Sequence, residues 1–230
     1  MTFLFAIALA AAAPSVPSAC PDLVTPDALV CKALEARKAG NNESAAQSFE
    51  EAAKSSSEKD PATARMWAAA GNLWIAAGQP GKAALDLDRA LALPGLEAEQ
   101  RGEALLDRAR AAEAQNDLRT ARTKLNEAAA TIAADPFYWY FSAALAIREG
   151  DTPAAQTAIG KALSLAPSDP VILFEAGHVA QIAGDDDKAR GYWMRAAGSD
   201  PNGDIGKKAA KAVEMLGVTP TMKTDTQPPK

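Results

Sequence analysis

REGDTPAAQTAIGKALSLAPSDP, residues 148–170, ends one run of helix-forming residues at Gly150 and begins another almost at once. The grammar returns 34 residues later in IAGDDDKARGYWMRAAGSDP, residues 182–201, where Gly184-Asp185 stand for Gly150-Asp151 and Ala189 for Ala155. A glycine that ends a helix followed by a capping Asp describes a tight turn between two helices. Recurrence at a fixed period makes that helix-turn-helix a structural unit rather than an isolated turn.

Working outward, the alanine that opens each second helix recurs as Ala45, Ala83, Ala121, Ala155 and Ala189, in steps of 38, 38, 34 and 34. The longer early steps are read as short insertions in the loops. Seven residues on stand Ala52, Ala90, Ala128, Ala162 and Ala196, with Phe49, Leu87, Leu125, Ile159 and Trp193 between. Offsets of four and three share one helical face, so a neighbouring helix can pack closely on it. The first helices mirror this, with small residues at Ala33, Gly71, Ala109, Ala143 and Gly177 and large ones at Leu29, Trp67, Leu105, Trp139 and Leu173. Pro61, Pro136, Pro167 and Pro201 fall near unit boundaries, where they stop one helix and admit the next.

This pattern resembles the tetratricopeptide repeat family, whose helix-turn-helix unit is about 34 residues long. The likeness is strongest over FYWYFSAALAIREGDTPAAQTAIGKALSLAP and VILFEAGHVAQIAGDDDKARGYWMRAAGSDP, good over RMWAAAGNLWIAAGQPGKAALDLDRALALP, and looser elsewhere between residues 26 and 202. It implies an all-α fold, a right-handed superhelix of about five helical hairpins over 26–202. The position three after each first-helix small residue is alanine except at Trp74, a departure that suggests thinner packing in four units. Residues 203–216 read as one further amphipathic helix capping the last repeat, with Ile205, Ala209, Ala212, Val213 and Leu216 on one side and Lys207, Lys208 and Lys211 on another. Residues 217–230 read as a flexible tail.

Composition agrees with thin helical layers: 48% of 230 residues are hydrophobic, much of that alanine, and only 6% are aromatic. A net charge of −5 offers no electrostatic footprint for nucleic acid. Residues 1–19 read as a signal peptide and junction, with an apolar run from Phe3 to Ala13 too short to span a bilayer as a helix. That places the mature chain in the periplasm or outside the cell; the alternative is an uncleaved anchor, which would be the chain's only membrane association. Cys20 and Cys31 either form a disulfide that staples the entry segment to the first helix or remain free or buried thiols.

The sequence assembles no catalytic constellation. His178 is the single histidine and has no recognisable partner. Asp185-Asp186-Asp187 lacks calcium-loop spacing and is read as turn and cap, so no metal and no cofactor are expected. The family resemblance implies a noncatalytic module that binds a protein or peptide as a scaffold or adaptor, and the export signal implies a bacterial cell envelope. The concave groove residues it implies are Arg65, Asn72, Asp107, Arg110, Tyr140, Phe141, Phe174, His178 and Gln181, with Arg65 and Arg110 taking an acidic group of the partner. Phe141 alternatively belongs to the core, as Trp139 does. Two other functional readings stay open: a structural subunit using its convex face, and a hydrolase built on His178.

Overall fold

Eleven helices account for most of residues 20–217, which the computed structural model describes. The N-terminal segment 1–19 and the tail beyond Gly217 lie outside the described residues, and with them the signal-peptide reading. The helices are α1 (Pro26–Lys38), α2 (Asn42–Ser55), α3 (Pro61–Ala76), α4 (Pro80–Ala92), α5 (Ala98–Ala114) and α6 (Leu118–Ile132). They continue as α7 (Pro136–Glu149), α8 (Thr152–Leu165), α9 (Pro170–Ile182), α10 (Asp186–Ser199) and α11 (Asp204–Leu216). None is long and apolar enough to cross a membrane.

The boundaries follow from side-chain chemistry. Asp60, Asp135 and Asp169 cap α3, α7 and α9 by accepting from backbone N–H groups of the first turn, and a proline follows each where its missing N–H costs nothing. Asn41, Asp117, Asp151 and Asp185 cap second helices in the same way. At the turn within a hairpin the backbone must pass through the left-handed region, as at Gly150 (φ 78°) and, in the third unit, Asn116 (φ 63°). Asparagine is the side-chain-bearing residue that tolerates this best.

The helices pack in consecutive pairs, α1 with α2 through α9 with α10, and α11 lies on α10 and α9. First helices also meet one another, α3 with α5, α5 with α7 and α7 with α9, whereas successive second helices make no comparable approach among the described residues. First helices therefore line the tight inner side of the curve and second helices the splayed outer side. The extra residues of the early units do not all lie in loops. The 56–60 and 93–97 connections are longer than 133–135 and 166–169, but α3 and α5 are themselves 16 and 17 residues against 14 and 13 for α7 and α9.

The core runs as four adjoining clusters along the stack, in which the small residues act as sockets. A Cβ at Gly71 would lie 2.5 Å from Leu87 Cγ, and one at Gly177 would lie 2.1 Å from Trp193 Nε1. Leu29, Trp67, Leu105 and Leu173 are buried as their spacing predicts. Trp139 departs from that set. It is half-buried, its Nε1 donates to Ala133 O (2.8 Å), and Lys161 Nζ lies over its ring at 4.3 Å; Tyr138, one residue back, takes the buried place. On α11, Ala209 and Leu216 are buried and the three lysines face solvent.

Candidate functional site: the inner groove

Helices α3 and α5 and the 93–97 connection enclose a depression of about 250 Å³ on the inner surface. Ala68, Ala69, Ala104 and Leu96 give it an apolar floor; Arg65, Asn72, Gln100, Glu103 and Asp107 supply polar groups. Short side chains form the floor because the same alanines let first helices approach, so the groove follows directly from the packing rule.

Asn72 Nδ2 donates to Asp107 Oδ2 across the two helices (2.7 Å), and Arg110 Nη1 donates to Asp107 Oδ1 (2.8 Å). Arg65 Nη1 donates to Gly95 O at 3.4 Å. The two arginines expected to receive an acidic group are thus engaged within the chain, Arg110 by a carboxylate. Glu103 lies in a field of like charge: partial burial first, then Glu99, Asp107 and Asp135, push its carboxyl above the ordinary value.

Toward the C-terminal end the groove becomes aromatic. Tyr140 is partly buried, and its phenol is raised by desolvation first and then by the negative charge of Glu175. Phe137 meets the Tyr140 ring edge-on at 6.2 Å between centroids. On α9 the Phe174 ring contacts the His178 ring at 4.5 Å, and His178 in turn lies 5.6 Å from Trp193. His178 does have a carboxylate partner, which spacing alone did not bring out: its Nδ1 is 3.6 Å from a Glu175 oxygen. Gln181 is exposed one turn further along α9. Phe141 is a correction to the groove set. It is 8% exposed and packs in the second core cluster with Tyr138 and Leu145, because one residue's rotation from Tyr140 carries it about 100° around the helix.

Sequence reasoning missed Gln100, Glu103 and Leu96. The first two share a helical stripe with Asp107, at offsets of seven and four, and could have been found by extending that stripe toward the helix start. Leu96 could not, since it belongs to an irregular connection. At the entry to the first helix, Cys20 and Cys31 are joined as a disulfide, their Cα atoms 5.7 Å apart.

No family model matches the chain, and no curated protein does. Solved structures match along most of its length. The pilus biogenesis factor PilW superposes with a TM-score of 0.67 at 18% identity, covering 80% of this chain and 82% of its own. YrrB, described as a tetratricopeptide repeat protein with an unusual peptide-binding site, gives 0.56 at 17% identity over 80% of this chain and 91% of its own. A tetratricopeptide repeat protein from Parabacteroides merdae gives 0.63 at 14% identity over 84% and 73%. At these identities the likeness is one of fold, and the fold is the tetratricopeptide-repeat superhelix.

Proposed function

We propose that this chain is a noncatalytic scaffold of the cell envelope that binds a protein or peptide segment in its inner groove. The observation that carries the reading is the groove itself: an apolar alanine floor edged by hydrogen-bonding side chains at α3–α5, passing into the aromatic surface of Tyr140 and Phe174. Such a surface can take apolar side chains at one end and fix an extended backbone at the other. The peptide-binding site described for the fold neighbour YrrB supports the same use.

With Arg110 paired to Asp107, the charges left for a partner at α3–α5 are the Arg65 guanidinium, which the Gly95 carbonyl orients without neutralising, and the Glu103 carboxylate. A segment carrying both an acidic group for Arg65 and a basic one for Glu103 is complementary there. The Cys20–Cys31 disulfide supports an oxidising compartment, in line with the apolar N-terminal run. N-terminal sequencing of the protein from its native host should find a start after residue 13 or 19, whereas an intact Met1 in the cytosol would remove the envelope assignment.

Affinity purification from the native envelope, with wild type beside Tyr140→Ala and Phe174→Ala, tests the groove. Both variants should keep their helical circular dichroism and lose the partner. A specific partner held equally by all three would sink the groove reading and transfer the function to the outer face.

A further inference from the structure

Away from the groove, on the outer side, two carboxylates face each other across α2 and α4, the second helices of the first two units. Glu50 Oε1 accepts from Trp74 Nε1 (2.7 Å), and Glu50 Oε2 accepts from Lys54 Nζ (2.6 Å). Asp86 Oδ1 accepts from Arg89 Nη1 (3.1 Å). The fourth oxygen, Asp86 Oδ2, is buried and has no donor, and the residue is only 2% exposed. Ionised, the carboxylate would keep only the Arg89 bond on Oδ1 and hold its other oxygen desolvated with no donor, a costly arrangement in a protein interior.

One added proton removes the conflict. A carboxylic acid at Asp86 becomes a donor, and the group it meets is the Glu50 carboxylate, which lines the same outer recess and whose negative charge acts on it. We propose that Asp86 is protonated in the folded chain and donates to Glu50, forming an acid–carboxylate latch between α2 and α4 that opens as the solution becomes alkaline. The latch spans helices that otherwise meet through α3, on which both pack. All the charged groups facing it come from the outer helices: Glu50 and Lys54 on α2, and Lys82, Asp86 and Arg89 on α4. The intervening α3 contributes Trp74 and Trp67, whose rings carry Lys82 at 4.0 Å and Arg89 at 4.6 Å. Both lysines and Arg89 are thereby occupied at the solvent edge, while the proton sits at the floor.

Burial first, then the Glu50 charge, push the Asp86 carboxyl up to about 7, whereas Glu50 is held below its ordinary value. The folded chain thus binds the Asp86 proton more tightly than the unfolded chain does, so the proton stabilises the fold. That contribution is complete below the ordinary aspartate value of 3.8 and is lost as pH rises to about 7. Glu50 acts with the opposite sign, only on the acid side of 4.5, so above pH 5 the Asp86 window stands alone of the two.

The experiment is hydrogen exchange on the full chain between pH 5 and pH 8, corrected for intrinsic exchange, with α8–α10 as the internal reference. A His178→Gln background removes the chain's only imidazole. Protection of α2 and α4 relative to that reference should fall with pH, by up to about tenfold per unit below pH 7. Asp86→Asn, which keeps a donor toward Glu50, should hold it level. Equal pH dependence in both chains, or none in wild type, overturns the latch. Because the variant could perturb folding, the side-chain carboxyl carbons of the wild-type chain are titrated by NMR as well. One aspartate resonance moving near pH 7 supports the latch, and every carboxyl titrating below pH 5 overturns it.

Discussion

Glycine sits inside α8 at residue 160 and inside α9 at residue 177, and replacing each by alanine should change stability in opposite directions. In a helix interior alanine is favoured over glycine by about 0.5–1 kcal/mol, since it loses less backbone entropy. At Gly160 nothing lies within 4 Å of the added Cβ, so Gly160→Ala should show that gain undiminished. At Gly177 the Cβ would come 2.1 Å from Trp193 Nε1 and 2.3 Å from its Cδ1. That indole is 1% exposed and donates to Phe174 O at 3.0 Å, so it cannot retreat without leaving its socket and its acceptor. Overpacking of this kind costs about 1–3 kcal/mol, and the lost hydrogen bond about another 1. Against the propensity gain the net is a loss of about 2 kcal/mol, which puts the two variants about 3 kcal/mol apart. Urea unfolding followed by circular dichroism measures the gap, and hydrogen exchange at α9 and α10 locates it, since a stacked-repeat chain need not unfold in one step. Red-shifted Trp193 fluorescence should accompany Gly177→Ala. If Gly177→Ala proved as stable as wild type, or Gly160→Ala as damaging, the socket argument for the small first-helix positions would fail.

Reduction of Cys20–Cys31, which closes a sequence separation of 11, should remove about 2–3 kcal/mol from the docking of α1. Hydrogen exchange with and without reductant should show α1 fraying while α5–α10 keep their protection; unchanged α1 would refute it. On the acid side, hydrogen bonds with Thr120 and Lys188 hold the Asp117 and Asp185 carboxyls below the ordinary 3.8. These caps stabilise fully above that value and lose their contribution as pH falls below it, so a D117N/D185N double variant should lose less stability than wild type between pH 5 and pH 3, and equal losses would contradict the assignment.

The fold was legible because its determinants are local and repeated. An alanine seven residues from another and a large residue between them define one hairpin, with an Asp or Asn cap before them in four of the five, and five copies reinforce one another in a way a single amphipathic helix cannot. What failed to read through depended on rotation or on partners far away in sequence. Tyr140 and Phe141 are neighbours in the chain, yet a step of one residue sends one ring to the groove and the other to the core, and a period fitted to within a residue cannot separate them. Trp139 occupies the place of Trp67 in the repeat and still stays half-exposed, because Tyr138 fills the interior beside it. The Glu50–Asp86 pair lay further out of reach. Asp86 stands one residue before Leu87 on an otherwise ordinary amphipathic helix, where a charged residue reads as solvated surface, and it is buried only once α2 and α3 are packed beside α4. A repeat therefore announces where its backbones go, while the chemistry of its surfaces is set where two units meet, and there the sequence is read correctly only once both units are in place.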